Sequence, residues 1–158
     1  MSTIEKSIEV NVPVKTAYNQ WTQFEEFPKF MEGVKEVRQQ DDKRLHWRAE
    51  IAGKEKEWDA EITEQVPDSR IAWRSRTGAP NGGVVTFHQI SPTTTKIMLQ
   101  LEYDPETFVE KTGDAIGIVS LRVTGDLDRF KQFIESRGQE TGAWRGEIGK
   151  GGDVRKTG

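Results

Sequence analysis

The chain has 158 residues, of which 34% are hydrophobic and 31% charged, with a formal net charge of −3. These values favour one folded domain and argue against a nucleic-acid binder, which needs clustered basic residues to neutralise phosphates. The chain has no cysteine, which excludes disulfides, thiolate nucleophiles and cysteine-ligated zinc. The N-terminus is charged where a signal peptide would be apolar, and no apolar run approaches the ~20 residues that span a bilayer. We therefore expect a cytoplasmic protein without a transmembrane segment.

The first part of the chain predicts a strand followed by two short helical segments. Apolar and polar residues alternate over residues 4–12, which is typical of a half-buried strand. Pro13 ends this strand, and apolar residues then recur at helical spacing over residues 14–21. The aromatic cluster of residues 24–31 surrounds Pro28 and predicts a second, broken helical segment.

Residues 34–103 predict a meander of antiparallel strands. Apolar and polar residues alternate through each strand, and turn-forming residues separate the strands. The predicted turns lie at 41–42, 52–53, 67–68, 81–83 and 91–92. The strand at 84–90 has apolar residues on both faces. We place Val85 and Phe87 inside, because a hairpin across residues 91–95 would pair them with Leu101 and Leu99.

One long helix is predicted from Asp114 to Arg137. Its apolar residues recur every three or four positions and form a single stripe of Ile116, Val119, Val123, Leu127, Phe130 and Ile134. Asp114 is the predicted N-cap, and Gly138 is the predicted left-handed residue after the last turn. Because the sheet and the helix each have one apolar face, we expect the helix to cover the sheet.

The predicted domain boundary follows Gly138. Residues 1–138 carry all of the helix and strand patterns, whereas residues 139–158 are polar, rich in glycine and without periodicity. We therefore predict one folded domain followed by a mobile tail, in which only Trp144 would pack back on the body.

Seven short stretches carry a resemblance to a known family. They are FPKFM (27–31), LHW (45–47), EWDA (57–60), IAWRS (71–75), GVVTF (83–87), YDP (103–105) and GDLDRFK (125–131). Together with the order of elements, they resemble the helix-grip fold of the START-like (SRPBCC) superfamily, in its polyketide cyclase/dehydrase branch. The likeness covers residues 1–137, extends weakly into 141–147, and is strongest to small bacterial stand-alone members.

The resemblance implies an α+β fold in which a curved antiparallel sheet of about seven strands wraps around the long helix. It also implies an apolar cavity between the sheet and the helix. Members of that family bind lipids, sterols, polyketides, plant hormones or aromatic compounds, and some catalyse cyclisation or dehydration. The family likeness therefore implies a cavity more firmly than it implies a reaction.

The side chains that usually carry catalysis are poorly placed in this sequence. His46 and His88 alternate with core-facing residues, so both are predicted to point away from the apolar face. A Ser-His-Asp triad and a histidine metal site are therefore not expected. The acidic pairs at 25–26 and 41–42 are predicted to be solvated. We assign no catalytic residue, no cofactor and no metal.

Three tryptophans are the clearest signal of a ligand site. Trp47, Trp58 and Trp73 project from successive strands toward the same face, which suits either core packing or the wall of a pocket. Gly117 on the helix suits close helix–sheet packing, and the alternative is that it leaves space for a ligand. The predicted ligand-binding residues are Trp47, Trp58, Trp73, Ser75, Phe87, Leu99, Leu101, Tyr103, Ile116, Val119, Ser120 and Val123. Gln89 is expected near the same cavity, and residues 27–31 and 81–83 are expected near its mouth.

Three functions are compatible with these patterns. The first is a module that binds a small hydrophobic molecule, and the second is a polyketide-type aromatase/cyclase or dehydratase that uses the same cavity. The third is a protein-interaction role of residues 24–31 and the tail. A buried carboxylate or histidine in the cavity would favour the enzyme, whereas an exposed apolar patch around Phe27 and Phe30 would favour the third function. The sequence carries no signal for an oligomeric state.

Overall fold

The computed structural model describes residues 2–51, 53–108 and 115–156, apart from the side chains of Glu106, Phe108, Ala115 and Ile116. The strands are β1 Ser2–Val10, β2 Val34–Gln39, β3 Arg44–Ile51, β4 Lys54–Val66, β5 Arg70–Gly78, β6 Asn81–Ser91, β7 Thr94–Tyr103, β8 Glu147–Ile148 and β9 Val154–Arg155. The helices are α1 Val14–Trp21, a 3₁₀ helix Phe24–Lys29, α2 Pro105–Phe108 and α3 Ala115–Arg137.

The main sheet has the strand order β1-β7-β6-β5-β4-β3-β2, and all of these neighbours are antiparallel. From β2 to β7 the strands follow chain order, because short turns join each one to the next. β1 pairs with β7 along its whole length, so the first and last long strands are neighbours. With α3 packed on the sheet, this arrangement confirms the predicted α+β helix-grip fold.

The hairpin of β6 and β7 differs from the prediction by two residues. Val85 lies opposite Leu99 and Phe87 lies opposite Ile97, whereas the predicted partners were Leu101 and Leu99. The turn is tighter than predicted, and a bulge near the end of β6 shifts the register. A shift of two residues leaves each side chain on its predicted face, so Val85 and Phe87 are still buried.

The predicted turn at residues 81–83 is wrong, because β6 already begins at Asn81. Gly83 is a paired residue opposite Leu101, and a Cβ at this position would lie only 2.2 Å from the carbonyl oxygen of Gln100. The glycine therefore serves a close backbone approach inside the sheet rather than a turn.

α3 packs its predicted stripe against the body of the protein. Val119, Val123, Leu127, Phe130 and Ile134 are all buried. The residue after the helix, Gly138, has a φ of +75°, and its amide donates to the carbonyl of Ile134 at 3.0 Å, as a C-terminal glycine is expected to do. The predicted N-cap, Asp114, lies outside the described residues.

The chain after α3 contacts the body far more extensively than predicted. Asn19 in α1 donates to Glu140 at 2.8 Å and accepts from Arg145 at 2.6 Å. Ile148 is fully buried, and β8 pairs with β4. The prediction of a tail that packs back only at Trp144 is therefore wrong for this segment. Its polar side chains satisfy buried polar groups of α1, a type of contact that periodicity cannot indicate.

Candidate functional site

A cavity of about 190 Å³ lies between the sheet and the N-terminal half of α3. Its wall is almost entirely apolar, and among the described residues its polar side chains, apart from the tryptophan N–H groups, are those of Asn81, Tyr103, Arg122 and Asp126. Apolar cavities of roughly 150 Å³ stay dry and accommodate benzene. This space is therefore large enough for at least one aromatic ring.

Two of the tryptophans form a stacked pair in the wall. Trp47 and Trp58 are directly opposite each other on β3 and β4, and their rings stack with centroids 5.9 Å apart and planes 8° from parallel. Phe27 from the 3₁₀ helix meets Trp47 edge-on at 5.6 Å. This arrangement fixes the indole planes, because each ring is held by a neighbour.

The third tryptophan, Trp73, is held in place by a glycine and an amide. It lies opposite Gly83, where an added Cβ would come within 2.9 Å of the indole ring. The indole N–H donates to the side-chain oxygen of Asn81 at 3.1 Å, and the backbone amide of Asn81 donates to the Ser75 hydroxyl at 3.0 Å. The half-buried indole therefore has its hydrogen-bond partner, and its orientation in the wall is set.

Most of the predicted binding residues lie together in this wall. They are Trp47, Trp58, Trp73, Leu99, Leu101, Tyr103, Val119 and Val123. Their position in one wall follows from the strict alternation of each strand and the regular stripe of α3.

Other predicted residues lie elsewhere. Phe87 packs against Tyr18 and Trp21, with ring centroids 5.4 and 6.2 Å away, in the filled part of the core. Ser75 acts behind the wall through Asn81, and Ser120 is not among the described wall residues. Gln89 is exposed, and the side chain of Ile116 lies outside the described residues.

Another side of the cavity is formed by α1, the 3₁₀ helix and the segment after it. Residues 27–31 were expected near the cavity mouth, and Phe27 and Met31 do line this side, but sequence reasoning missed Trp21, Phe24, Gly33 and Val34. Phe27 and Phe30 are each only 2% exposed, so the exposed apolar patch that would have favoured a protein-interaction role is not there. The aromatic cluster around Pro28 was the available signal, but it has no period from which a facing direction can be derived.

Two charged residues of α3 also belong to the wall, and both were missed. Asp126 accepts from the Arg129 guanidinium and from the backbone amide of Glu32, the latter at 3.2 Å. Arg129 also donates to the carbonyl of Phe30 at 2.9 Å. Burial raises the pKa of Asp126 above its ordinary value, although the hydrogen bond and charge of Arg129 oppose this shift. Arg122, one turn earlier on the helix, completes this charged region.

The histidines take no part in the cavity. His46 lies 2.8 Å from Asp59 on the opposite face of the sheet, and His88 is exposed beside Thr86, as predicted. Within the described residues, no group of three or more His, Asp or Glu side chains is placed to hold a metal ion. No helix in the described part of the chain is both long and apolar enough to cross a bilayer.

Known proteins with the same fold and related sequence were found by comparison. A family model described as polyketide cyclase/dehydrase and lipid transport matches residues 10–132. An uncharacterized 17.2 kDa protein of Streptomyces lincolnensis, from the melC2-rnhH intergenic region, is 56% identical over 149 residues, which are 94% of this chain and 99% of that protein.

Solved structures agree with this assignment. DR_A0006 from Deinococcus radiodurans is 27% identical with a TM-score of 0.68, and the match covers 87% of this chain and 99% of that one. The Zhui aromatase/cyclase from Streptomyces sp. R1128 has a TM-score of 0.71 over 90% of this chain and 98% of that one. Its identity is only 14%, so that likeness shows the fold alone.

Proposed function

This chain belongs to the polyketide cyclase/dehydrase and lipid transport family, and we propose that it binds a small hydrophobic molecule in the cavity between its sheet and α3. The observation that carries the proposal is the unfilled space of about 190 Å³ behind an almost wholly apolar wall. Apolar side chains that border such a space lack close-packed neighbours, which lowers the stability of a fold. A ligand that fills it removes part of that penalty.

The aromatic residues of the wall favour a ligand with a ring system. Trp47 and Trp58 form a rigid stacked pair on the sheet side of the cavity, and Val119 lines the same space from α3. A ring system placed between them exchanges water contacts for apolar contacts on both of its faces. We therefore propose an aromatic or polycyclic compound, or a short lipid, as the bound molecule.

Binding is tested with the neutral fluorophore 2-acetylnaphthalene, whose contact with the wall tryptophans quenches their emission. We expect saturable quenching with the parent protein. Val119→Phe should abolish it, because the larger ring occupies the cavity. Leu121→Phe is the matched control, since Leu121 lies two residues away on the same helix and is 75% exposed. Circular dichroism and urea denaturation of both variants establish that they remain folded.

The proposal fails if the folded Val119→Phe variant binds 2-acetylnaphthalene as tightly as the parent protein. It also fails if the parent protein shows no saturable quenching at all. Equal loss of binding in both phenylalanine variants would place the probe on the surface of α3 rather than in the cavity.

The second candidate function is catalysis by the same cavity, and Asp126 is the observation that favours it. A carboxyl group in the wall with a raised pKa is suited to general acid–base chemistry on a bound polyketide-like substrate, as in a dehydratase or an aromatase/cyclase. Native mass spectrometry of the parent protein and Asp126→Asn, purified from the same host, separates the two functions. If the protein is an enzyme and Asp126→Asn inactivates it, the variant should retain a substrate that the parent protein converts and releases. A binding module would carry the same molecule in both forms.

A further inference from the structure

Arg122 is the only cation among the described residues of the cavity wall. Its guanidinium lies against Gly33, where an added Cβ would be 2.5 Å from Arg122 Nη1 and 2.9 Å from the carbonyl oxygen of Glu50. The glycine thus makes room for the guanidinium at the place where α3 passes the segment after the 3₁₀ helix. An arginine side chain is charged at every pH at which proteins fold. The cavity therefore contains a fixed positive charge.

The guanidinium of Arg122 forms no hydrogen bond or ion pair with any residue that the structure describes. The nearest acidic side chains bind a different arginine. Asp126 accepts from Arg129 and from the backbone amide of Glu32, and the carboxylate of Glu32 lies 3.5 Å from Arg129. Within the described part of the chain, the N–H donors of Arg122 are therefore left for a bound molecule.

We propose that the ligand is a small amphipathic acid whose carboxylate binds Arg122 while its apolar body lies between the tryptophans and Val119. The guanidinium presents paired N–H donors that match the two oxygens of a carboxylate. Apart from Asp126, Asn81 and Tyr103, the rest of the described wall is apolar and solvates a charged group poorly. This inference rests on the ligand-binding function proposed above and gives the chemical class of the ligand.

The alternative is that Arg122 only covers the edge of the cavity with its methylene groups and keeps its charge in water. The two readings differ in one measurable respect. An anchoring arginine discriminates between ligands by charge, whereas a covering arginine affects charged and neutral ligands equally.

The test compares 2-naphthoate with 2-acetylnaphthalene, which have the same ring system and similar size but differ in charge at pH 7.5. Dissociation constants are measured by tryptophan quenching for the parent protein, Arg122→Gln and Arg122→Lys. Arg137→Gln is the control for loss of one positive charge, since Arg137 is exposed at the other end of the same helix. We expect Arg122→Gln to weaken naphthoate binding roughly ten-fold or more, and ketone binding less than about two-fold. Arg122→Lys should restore part of the naphthoate affinity, and Arg137→Gln should leave both probes unaffected.

The inference is overturned if Arg122→Gln binds naphthoate as tightly as the parent protein, or if it weakens both probes equally. It is also overturned if the parent protein binds the ketone but not naphthoate, and in that case the ligand-binding function itself survives. If neither probe binds the parent protein, the proposed function fails together with this inference.

Discussion

The two halves of α3 use the same apolar stripe for different purposes. In the C-terminal half, Phe130 and Ile134 are fully buried, and the Phe130 ring lies 5.0 Å from Trp21 and 5.2 Å from Phe30. In the N-terminal half, Val119 and Val123 face the cavity. We call these the filled half and the open half.

The difference comes from what lies opposite the helix rather than from the helix itself. Aromatic residues of α1 and of the segment around the 3₁₀ helix occupy the space beside the filled half, whereas the open half faces the sheet across unfilled space. Close packing of aromatic side chains stabilises a fold, while an empty apolar space destabilises it. The comparison therefore assigns most of the stability to the filled half and ligand binding to the open half.

The largest expected effect follows from removing the central ring of the filled half. Phe130→Ala should lower the free energy of unfolding by about 3–5 kcal/mol, because it leaves a new cavity among rings that cannot collapse into it. Val123→Ala in the open half should lower it by only about 1–2 kcal/mol, since the removed atoms already border empty space. Urea denaturation measures both. Equal losses would show that the two halves do not differ in packing.

The next effect concerns the docked segment after α3. Ile148→Ala should lower the free energy of unfolding by about 2–4 kcal/mol, because this side chain is fully buried where the short strand β8 pairs with β4. Lys150→Ala is the control at an exposed neighbouring position and should change it by less than about 0.5 kcal/mol. If Ile148→Ala behaves like the control, the segment does not stabilise the domain in solution.

The smallest effect is a pH dependence at Asp126, which lies at the boundary of the two halves. Burial raises its pKa in the folded protein above the ordinary value of 3.8. Between the two pKa values the folded state binds more protons than the unfolded state, so the free energy of unfolding falls as the pH rises. Asp126→Asn removes this titration. The stability of the parent protein relative to the variant should therefore decrease from pH 4 toward pH 7 in urea denaturation.

An increase in the relative stability of the parent protein with pH would point to the ion pair of Asp126 rather than to its burial. If the parent protein gains stability relative to Asp126→Asn as the pH rises, the ion pair with Arg129 outweighs burial and the pKa of Asp126 is lowered. In that case the carboxyl group would lose its particular suitability for acid–base chemistry.

The fold and the sheet side of the cavity were predictable because both depend on regular periods. Alternation in the strands placed Trp47, Trp58 and Trp73 on one face, and the spacing of the stripe placed Val119 and Val123 opposite them. The error in the β6–β7 register did not disturb this result, since a shift of two residues preserves the facing of every side chain.

The rest of the site depends on contacts that no period encodes. Arg122 and Asp126 each lie three residues beyond a stripe residue, at the border of the apolar face, where a charged side chain is ordinarily solvated. Their place in the wall results from how closely the segment around Gly33 approaches α3. The docking of Arg145 on Asn19 likewise joins residues far apart in sequence through paired polar groups. Local patterns cannot identify such partners.

A crystal structure of the protein with bound 2-acetylnaphthalene would show directly whether the open half of α3 faces a ligand site. We expect electron density for the naphthalene ring between the indole of Trp58 and the side chain of Val119, with the backbone of the filled half unchanged. Density for the probe only on the surface, for example against the exposed Leu121, would contradict this expectation.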